Sequence, residues 1–269
     1  MLENKLEHLN KLKNTKVFVL DMDGTIYLGN KVLRGAIEFI TKAKENGIKI
    51  LYFTNNASKS KQFYLDKLHR LGFPAEQNDI VTSGDVTAEY LMQFHPGKSV
   101  YLVGTPQLEQ VFLDYGIKLT DGSEADIVVS SFDTTLTYEK LVKACDLIRN
   151  GATFYSTHPD FNCPMENGFI PDSGAICALI TASTGKTPRY FGKPHRESAE
   201  MMARLCNISF DEMAIVGDRL YTDIALGKNN GILSVLVLSG ETKTNDITEA
   251  NRGDIIVDGI YKLSELLFS

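Results

Sequence analysis

The stretch Lys16-Val-Phe-Val-Leu-Asp-Met-Asp-Gly-Thr-Ile-Tyr27 ends an apolar run in two carboxylates, Asp21 and Asp23, with Gly24 directly behind them. Such a run predicts a buried strand that delivers its chemistry at its carboxyl end, where ligands bind in open α/β sheets. The period-2 geometry of a strand tip aims the two carboxylates to one side, and carboxylates crowded together call for a cation. Asp-Gly is also an ordinary turn pair, so a strand followed by an inert turn is the plain alternative for this stretch alone.

Three further groups bear on the choice. Thr54-Asn55-Asn56 closes a second apolar run, Ile48 to Phe53. Lys193 precedes Pro194, which keeps its backbone extended, and its ammonium is a flexible point charge suited to a phosphate oxygen. A third run, Met213 to Val216, leads into Gly217-Asp218-Arg219-Leu-Tyr-Thr-Asp223 and a second carboxylate pair. Singly these read as a polar turn, a surface lysine and the start of a helix. Together, and in this order, the four motifs resemble the haloacid dehalogenase (HAD) superfamily of phosphotransferases. Within it the chain is similar to the class IIA branch, the p-nitrophenyl phosphatase-like and pyridoxal phosphatase-like enzymes, which insert a large α/β (C2) cap between the second and third motifs. The resemblance covers nearly the whole chain.

The resemblance implies a Rossmann-like parallel-sheet core and a Mg2+-dependent phosphatase of small phosphomonoesters: sugar phosphates, nucleoside monophosphates or p-nitrophenyl phosphate. Asp21 is then the nucleophile that forms an aspartyl-phosphate, and Asp23 the acid that protonates the leaving oxygen and the base that later activates water. The metal ligands implied are the Asp21 side chain, the Asp23 backbone carbonyl and the Asp218 side chain, with Asp223 steadying the metal shell indirectly. Thr54, Asn55, Asn56 and Lys193 hold the phosphoryl oxygens and the groups around them. Substrate choice falls to a cap loop, here Ser156-Thr-His-Pro-Asp-Phe-Asn-Cys-Pro164. Pyridoxal phosphatase-like relatives meet the substrate with a histidine before the proline; this chain has Cys163 there, with His158 and Asn162 as candidate replacements.

Other functions fit less well. A pyridoxal phosphate or phosphoglycolate phosphatase keeps the same core. A dehalogenase lacks the second carboxylate, and a phosphomutase of this family usually carries a small helical cap. From a different class, a phosphoacceptor receiver places its acidic pair elsewhere, and a silent binding protein has no need of intact Asp21, Asp23, Lys193 and Asp218.

The elements that must position these groups alternate strand and helix, which predicts a parallel sheet with right-handed crossovers. Leucines at 2, 6, 9 and 12 suggest an amphipathic lead-in helix, and Gly29-Asn30 a small hairpin. A helix follows from Gly35 to Glu45, and Ser58 can cap the helix that runs to Leu71. From about Gly84 a second βα series begins, without phosphate motifs, and passes through a loop, Thr157 to Ile170, to a helix capped by Asp172. The expected division is core 1–83, cap 84–187 and core 188–269. Helices are expected at Arg196 to Cys206 and Thr222 to Asn229, and strands at Leu233 to Leu238 and Asp254 to Val257.

With 43% hydrophobic and 23% charged residues among 269, the chain reads as an ordinary globular protein, and a net charge of −6 gives no footprint for nucleic acid. The expected partner is a small phosphorylated metabolite, with no nucleic acid and no membrane, and with room for a homo-oligomer formed through the cap. Four scattered cysteines without a metal-ligand spacing, and no apolar run near the roughly 18 residues of a membrane span, point to the cytoplasm. Cys163 carries a prediction. A thiol replaces a ring that could polarise or stack on a substrate, a loss of about 1–3 kcal/mol when a buried polar partner is left unmet. Cys163→His is therefore expected to raise kcat/KM for pyridoxal phosphate by roughly 5-fold to 150-fold and to leave small substrates unchanged. A uniform change across a substrate panel would show that Cys163 does not meet substrate.

Overall fold

A computed structural model describes residues 2–165 and 168–268 of the chain. Helix α1 (Leu2–Lys13) leads into β1 (Val17–Leu20), all four residues of which are buried. The leucine stripe packs at its far end: Leu12 is fully buried, whereas Leu6 is exposed. Strands β2 (Tyr27–Leu28) and β3 (Lys31–Val32) form the antiparallel hairpin expected around Gly29-Asn30. Helix α2 (Ala36–Glu45) buries Ala36, Phe39, Ile40 and Ala43, the i, i+3, i+4, i+7 face of an amphipathic helix. Then come β4 (Lys49–Thr54), α3 (Lys61–Arg70) and β5 (Ile80–Thr82). Ser60, not Ser58, caps α3: its Oγ accepts from Phe63 N–H, while Ser58 is buried and donates to Asn56 Oδ1.

The middle of the chain continues with α4 (Ser83–Phe94), β6 (Ser99–Val103), α5 (Pro106–Asp114), β7 (Lys118–Leu119) and β8 (Ile127–Ser130). It goes on through α6 (Tyr138–Arg149), β9 (Thr153–Ser156), β10 (Asn162–Met165), β11 (Gly168–Pro171), α7 (Ser173–Thr184) and β12 (Arg189–Tyr190). Thr82, Thr105, Thr137 and Asp172 each accept a helix-start N–H, so α4 to α7 begin on side-chain caps. The expected loop from 157 to 170 is in part an antiparallel hairpin, with Asn162 opposite Pro171 and Cys163 opposite Ile170; residues 166–167, inside that loop, lie outside the described residues. The chain ends with α8 (Arg196–Cys206), β13 (Met213–Gly217), a wide helical turn at Leu220–Ile224, α9 (Ala225–Asn230), β14 (Leu233–Val237), β15 (Ile255–Val257) and α10 (Ile260–Phe268).

The first compact unit comprises residues 1–53, 64–81 and 193–269. Its six-stranded sheet runs β15-β14-β13-β1-β4-β5. β1 is central and pairs in parallel on both sides, Val17 to Met213 and to Lys49, Leu20 to Val216 and to Tyr52. The chain moves from β1 to β4 on one side and returns as β13 on the other, so the strand order reverses beside β1. That is a switch point, where the carboxyl ends of strands leave a crevice. Phe18, Leu20, Phe39, Ile50, Tyr52 and Val216 pack in one cluster beneath it.

The second unit comprises residues 54–63 and 82–192, with a five-stranded sheet ordered β12-β9-β8-β6-β7 and its own cluster around Val128, Phe154, Ile176 and Ile180. It is larger than the expected 84–187. Residues 54–63 group with it because Thr105 Oγ1 donates to Ser58 O at 2.9 Å, Lys61 Nζ pairs with Asp85 at 3.0 Å and Ser83 Oγ donates to Asn55 O. Residues 188–192 group with it because β12 forms the sheet edge, paired to Tyr155 and Ser156. Among the described residues no helix is long and apolar enough to cross a membrane.

Leu12 and Leu6 make the lead-in helix testable. Leu12→Ala is expected to lower the unfolding free energy by about 2–5 kcal/mol in urea titrations, and Leu6→Ala by no more than about 0.5 kcal/mol.

Candidate active site

β1 ends at Leu20, before the first carboxylate, and Asp21 N–H donates to Val216 O at 2.9 Å. The next residues turn: Met22 O accepts from Thr25, Ile26 and Tyr27 N–H. Asp21 and Asp23 therefore do not share a strand face, as period-2 geometry had suggested. The Asp21 carboxylate is ion-paired to Lys193, whereas that of Asp23 is half exposed and lies 4.0 Å from Lys67 Nζ.

At the neighbouring strand end, β13 delivers Asp218, and the helical turn after it brings back Asp223. Carboxylate oxygens of Asp21, Asp218 and Asp223 all lie within 4.8 Å of one another, close enough for one cation to bridge them. Asp223 thus stands beside the two expected carboxylate ligands, where Lys193 reaches it. Lys193 Nζ pairs with Asp21 and, at 2.7 Å, with Asp223 Oδ1, and it donates to Phe53 O at 3.3 Å. Phe53 immediately precedes Thr54 in the chain.

Asp218 is held by a loop to which the sequence reading gave no role. Glu241 N–H donates to Asp218 Oδ2 at 2.6 Å, and Thr25 Oγ1 donates to Oδ1 at 3.5 Å. Gly24, at φ +92°, and Gly240 both press on the Asp218 carboxylate so closely that a Cβ at either would overlap it. Ser239 Oγ donates to Gly24 O at 2.8 Å and closes the loop onto the Asp21 turn. Arg219, quoted within the motif but without a role, pairs its Nε with Glu241 at 3.0 Å, and its N–H holds Asp223 Oδ2 at 3.1 Å.

The charges do not balance: three carboxylates, two of them buried and Asp21 partly so, meet the single ammonium of Lys193, while the Arg219 guanidinium pairs with Glu241. Burial raises the Asp21 carboxyl to about 8, with Asp223 and Asp218 adding to it and Lys193 opposing it. Burial and Asp223 likewise raise Asp218 to about 6. Burial works against the charge of Lys193, but Asp21 and Asp223 hold it above the ordinary lysine value. Buried charge clusters of this kind seldom stabilise a fold and are common at functional sites. The donor set is all hard oxygen with net negative charge, which fits a small divalent cation.

The other expected site residues lie in the second unit. Thr54 Oγ1 accepts from Asn56 N–H at 3.1 Å. Asn55 Nδ2 donates to Asp160 Oδ2 at 3.0 Å, and Asn56 Nδ2 approaches Cys163 Sγ at 4.0 Å. Asn56 and Cys163, chosen separately, are thus brought together, and Asn162 is exposed on β10. His158 is not a substrate-facing group: it is fully buried, with Nε2 2.8 Å from Asp172 Oδ1 and Nδ1 2.9 Å from Thr157 Oγ1. Its ring fastens the loop to the start of α7, which the sequence pattern of a loop histidine does not reveal.

Residues 18–118 match the family described as haloacid dehalogenase-like hydrolase, and residues 190–263 match a HAD-hydrolase-like family. The chain is 36% identical to an acid sugar phosphatase of Staphylococcus aureus over 240 residues, covering 89% of this chain and 93% of that one. It superposes on the crystal structure of a 4-nitrophenylphosphatase from Thermotoga maritima with a TM-score of 0.92 at 42% identity, over 96% of this chain and 99% of that one. A p-nitrophenyl phosphatase from Archaeoglobus fulgidus gives 0.88 at 26% identity, over 93% and 98%. The chain belongs to the haloacid dehalogenase-like hydrolases, as one of their phosphatases with an inserted α/β domain.

The raised carboxyls make stability depend on pH in a stated direction. Unfolded Asp titrates near 4, so between about pH 4 and the folded values of about 6 and 8 the folded protein holds protons that the unfolded chain has lost. Stability is highest at the acid end and falls as pH rises through that window. In chelator, Asp218→Asn is expected to stabilise the protein more at pH 8 than at pH 5, by about 1–2 kcal/mol. Equal effects at both pH values, followed by thermal melting, would contradict this.

Proposed function

We propose that the chain is a Mg2+-dependent phosphomonoester hydrolase that works through a phosphorylated Asp21. The observation that carries this is the trio of the partly buried Asp21 and the buried Asp218 and Asp223, answered by Lys193 at the carboxyl ends of β1 and β13. The Asp21 and Asp218 carboxylates and the Asp23 main-chain carbonyl would hold the metal, with Asp223 orienting them while fixed by Lys193 and the Arg219 N–H. Magnesium supplies the positive charge that lets an anionic nucleophile approach a dianionic phosphoryl group.

Asp21 attacks phosphorus, and the bond to the leaving oxygen breaks as Asp23 gives that oxygen a proton. Asp23, now a carboxylate, takes a proton from water, which attacks phosphorus and releases inorganic phosphate and Asp21. Lys193 keeps Asp21 in place and offsets charge on the phosphoryl oxygens. In the second unit, Thr54, Asn55, Asn56 and Cys163 offer hydroxyl, amide and thiol groups suited to a phosphorylated ligand. Asp23 is free for proton transfer because its carboxylate stands outside the acidic trio.

Sugar phosphates and aryl phosphates are the substrates, in keeping with an acid sugar phosphatase and 4-nitrophenylphosphatases among the relatives. Pyridoxal phosphate is a poorer one because Cys163 stands where a histidine would meet it. Four free cysteines among the described residues suit a reducing cytoplasm, and a small phosphorylated metabolite is the partner.

Asp21→Asn is expected to abolish turnover of every phosphomonoester. Asp23→Asn is expected to lose roughly 10²- to 10⁴-fold on alkyl phosphates and far less on p-nitrophenyl phosphate, whose leaving group needs no proton. Chelation should stop wild-type turnover and Mg2+ should restore it. Steady-state kinetics on both substrate classes check all three, and full activity in chelator would remove the metal from the reading.

A further inference from the structure

One cation near the catalytic turn has no part in the acidic trio. Lys67, on α3, places its Nζ 3.9 Å from the centre of the Tyr27 ring and 4.0 Å from Asp23 Oδ2. Its side chain is only 17% exposed, and among the described residues Asp23 is the carboxylate within its ion-pairing reach. Burial pulls the ammonium below the ordinary lysine value, against the pull of Asp23. A lysine with a purely solvating role would extend into water, where no such cost arises.

The seat of this ammonium belongs to the same turn as the acid. Tyr27 is buried, its carbonyl accepts from Gly24 N–H at 2.7 Å, and its N–H donates to Met22 O at 3.3 Å. The aromatic residue that closes the Asp-x-Asp-Gly-Thr motif thus holds a cation over its ring face, an interaction that offsets part of the desolvation cost. Asp23 is otherwise half exposed. A fixed positive charge on one side selects one direction for it.

We propose that Lys67 is a positioning residue for Asp23: seated on Tyr27, its ammonium aims the Asp23 carboxyl toward the leaving oxygen. This rests on the reading of Asp23 as proton donor and acceptor. Its signature is dependence on the leaving group, because a misaimed acid matters only where the leaving oxygen needs a proton. A loss of packing at α3 would slow all substrates alike.

The experiment compares glucose 6-phosphate with p-nitrophenyl phosphate at saturating Mg2+ for wild type, Lys67→Met, Lys67→Arg, Asp23→Asn and the double variant Asp23→Asn/Lys67→Met. Lys67→Met keeps the aliphatic stem on Tyr27 and removes the charge. It is expected to lower kcat/KM on glucose 6-phosphate by roughly 10- to 100-fold, with less than a tenth of that loss on p-nitrophenyl phosphate. Lys67→Arg should recover most of the loss, and in the Asp23→Asn background Lys67→Met should add almost nothing. Equal losses on both substrates, or a full extra loss in the double variant, overturn the proposal while a selective Asp23→Asn leaves the assignment of Asp23 intact. An unselective Asp23→Asn overturns that assignment and this one with it.

Discussion

An excess of buried negative charge governs the first unit. Three carboxylates converge where β1 and β13 end, and one ammonium, that of Lys193, pairs with two of them. Nothing in the packing beneath requires this arrangement. Phe18, Leu20 and Val216 would pack as well under neutral side chains, and neutral groups would be easier to bury. The loop carrying Gly240 and Glu241, the positive-φ Gly24 and the turn after β13 all restrain Asp218 and Asp223 in spite of mutual repulsion. The fold maintains an excess of negative charge that an added cation would offset.

The parallel sheet is what makes such a deficit possible. Strands buried on both faces carry mostly apolar residues along their length, so polar chemistry is displaced to their ends. Because the strand order reverses beside β1, two such ends lie next to each other, and Asp21 and Asp218 need no long loop to meet. Lys193 arrives from much farther along the chain, yet it reaches Asp21, Asp223 and the Phe53 carbonyl at once. A single lysine therefore ties the ends of three segments together.

Much of this was legible in the sequence, for reasons that can be named. Apolar runs stopping at Asp21, Thr54 and Asp218 mark strand ends, and Arg196 to Cys206 shows a strong helical stripe that the structure reproduces residue for residue. Pairings set by tertiary packing were not legible. The approach of Asp223 to Asp218 depends on a wide helical turn that the spacing of the motif does not reveal. β5 and β7 span three and two residues, too short to show a period. His158 had the look of a loop residue, and only its burial against Asp172 shows that it holds the loop down. Ser58 and Ser60 are equally good caps on paper, and the site was decided by which one Asn56 had already engaged.

The chain passes between its two units at residues 53–54, 63–64, 81–82 and 192–193, so the second unit is not one continuous insertion. Two of those crossings fall beside Thr54 and Lys193. The short segment 54–63 is anchored to the larger one by Ser58, Lys61 and Asn55. Recombination between relatives at the obvious boundaries of the insertion would therefore separate residues that are bonded to each other. A chimaera that exchanges the second unit has to carry residues 54–63 with it. The contacts of Lys193 with Asp21 and with the Phe53 carbonyl survive such an exchange only if both grafts end short of Phe53 and Lys193. Diversification of the inserted unit is thereby constrained by ten residues that, along the chain, look like part of the core.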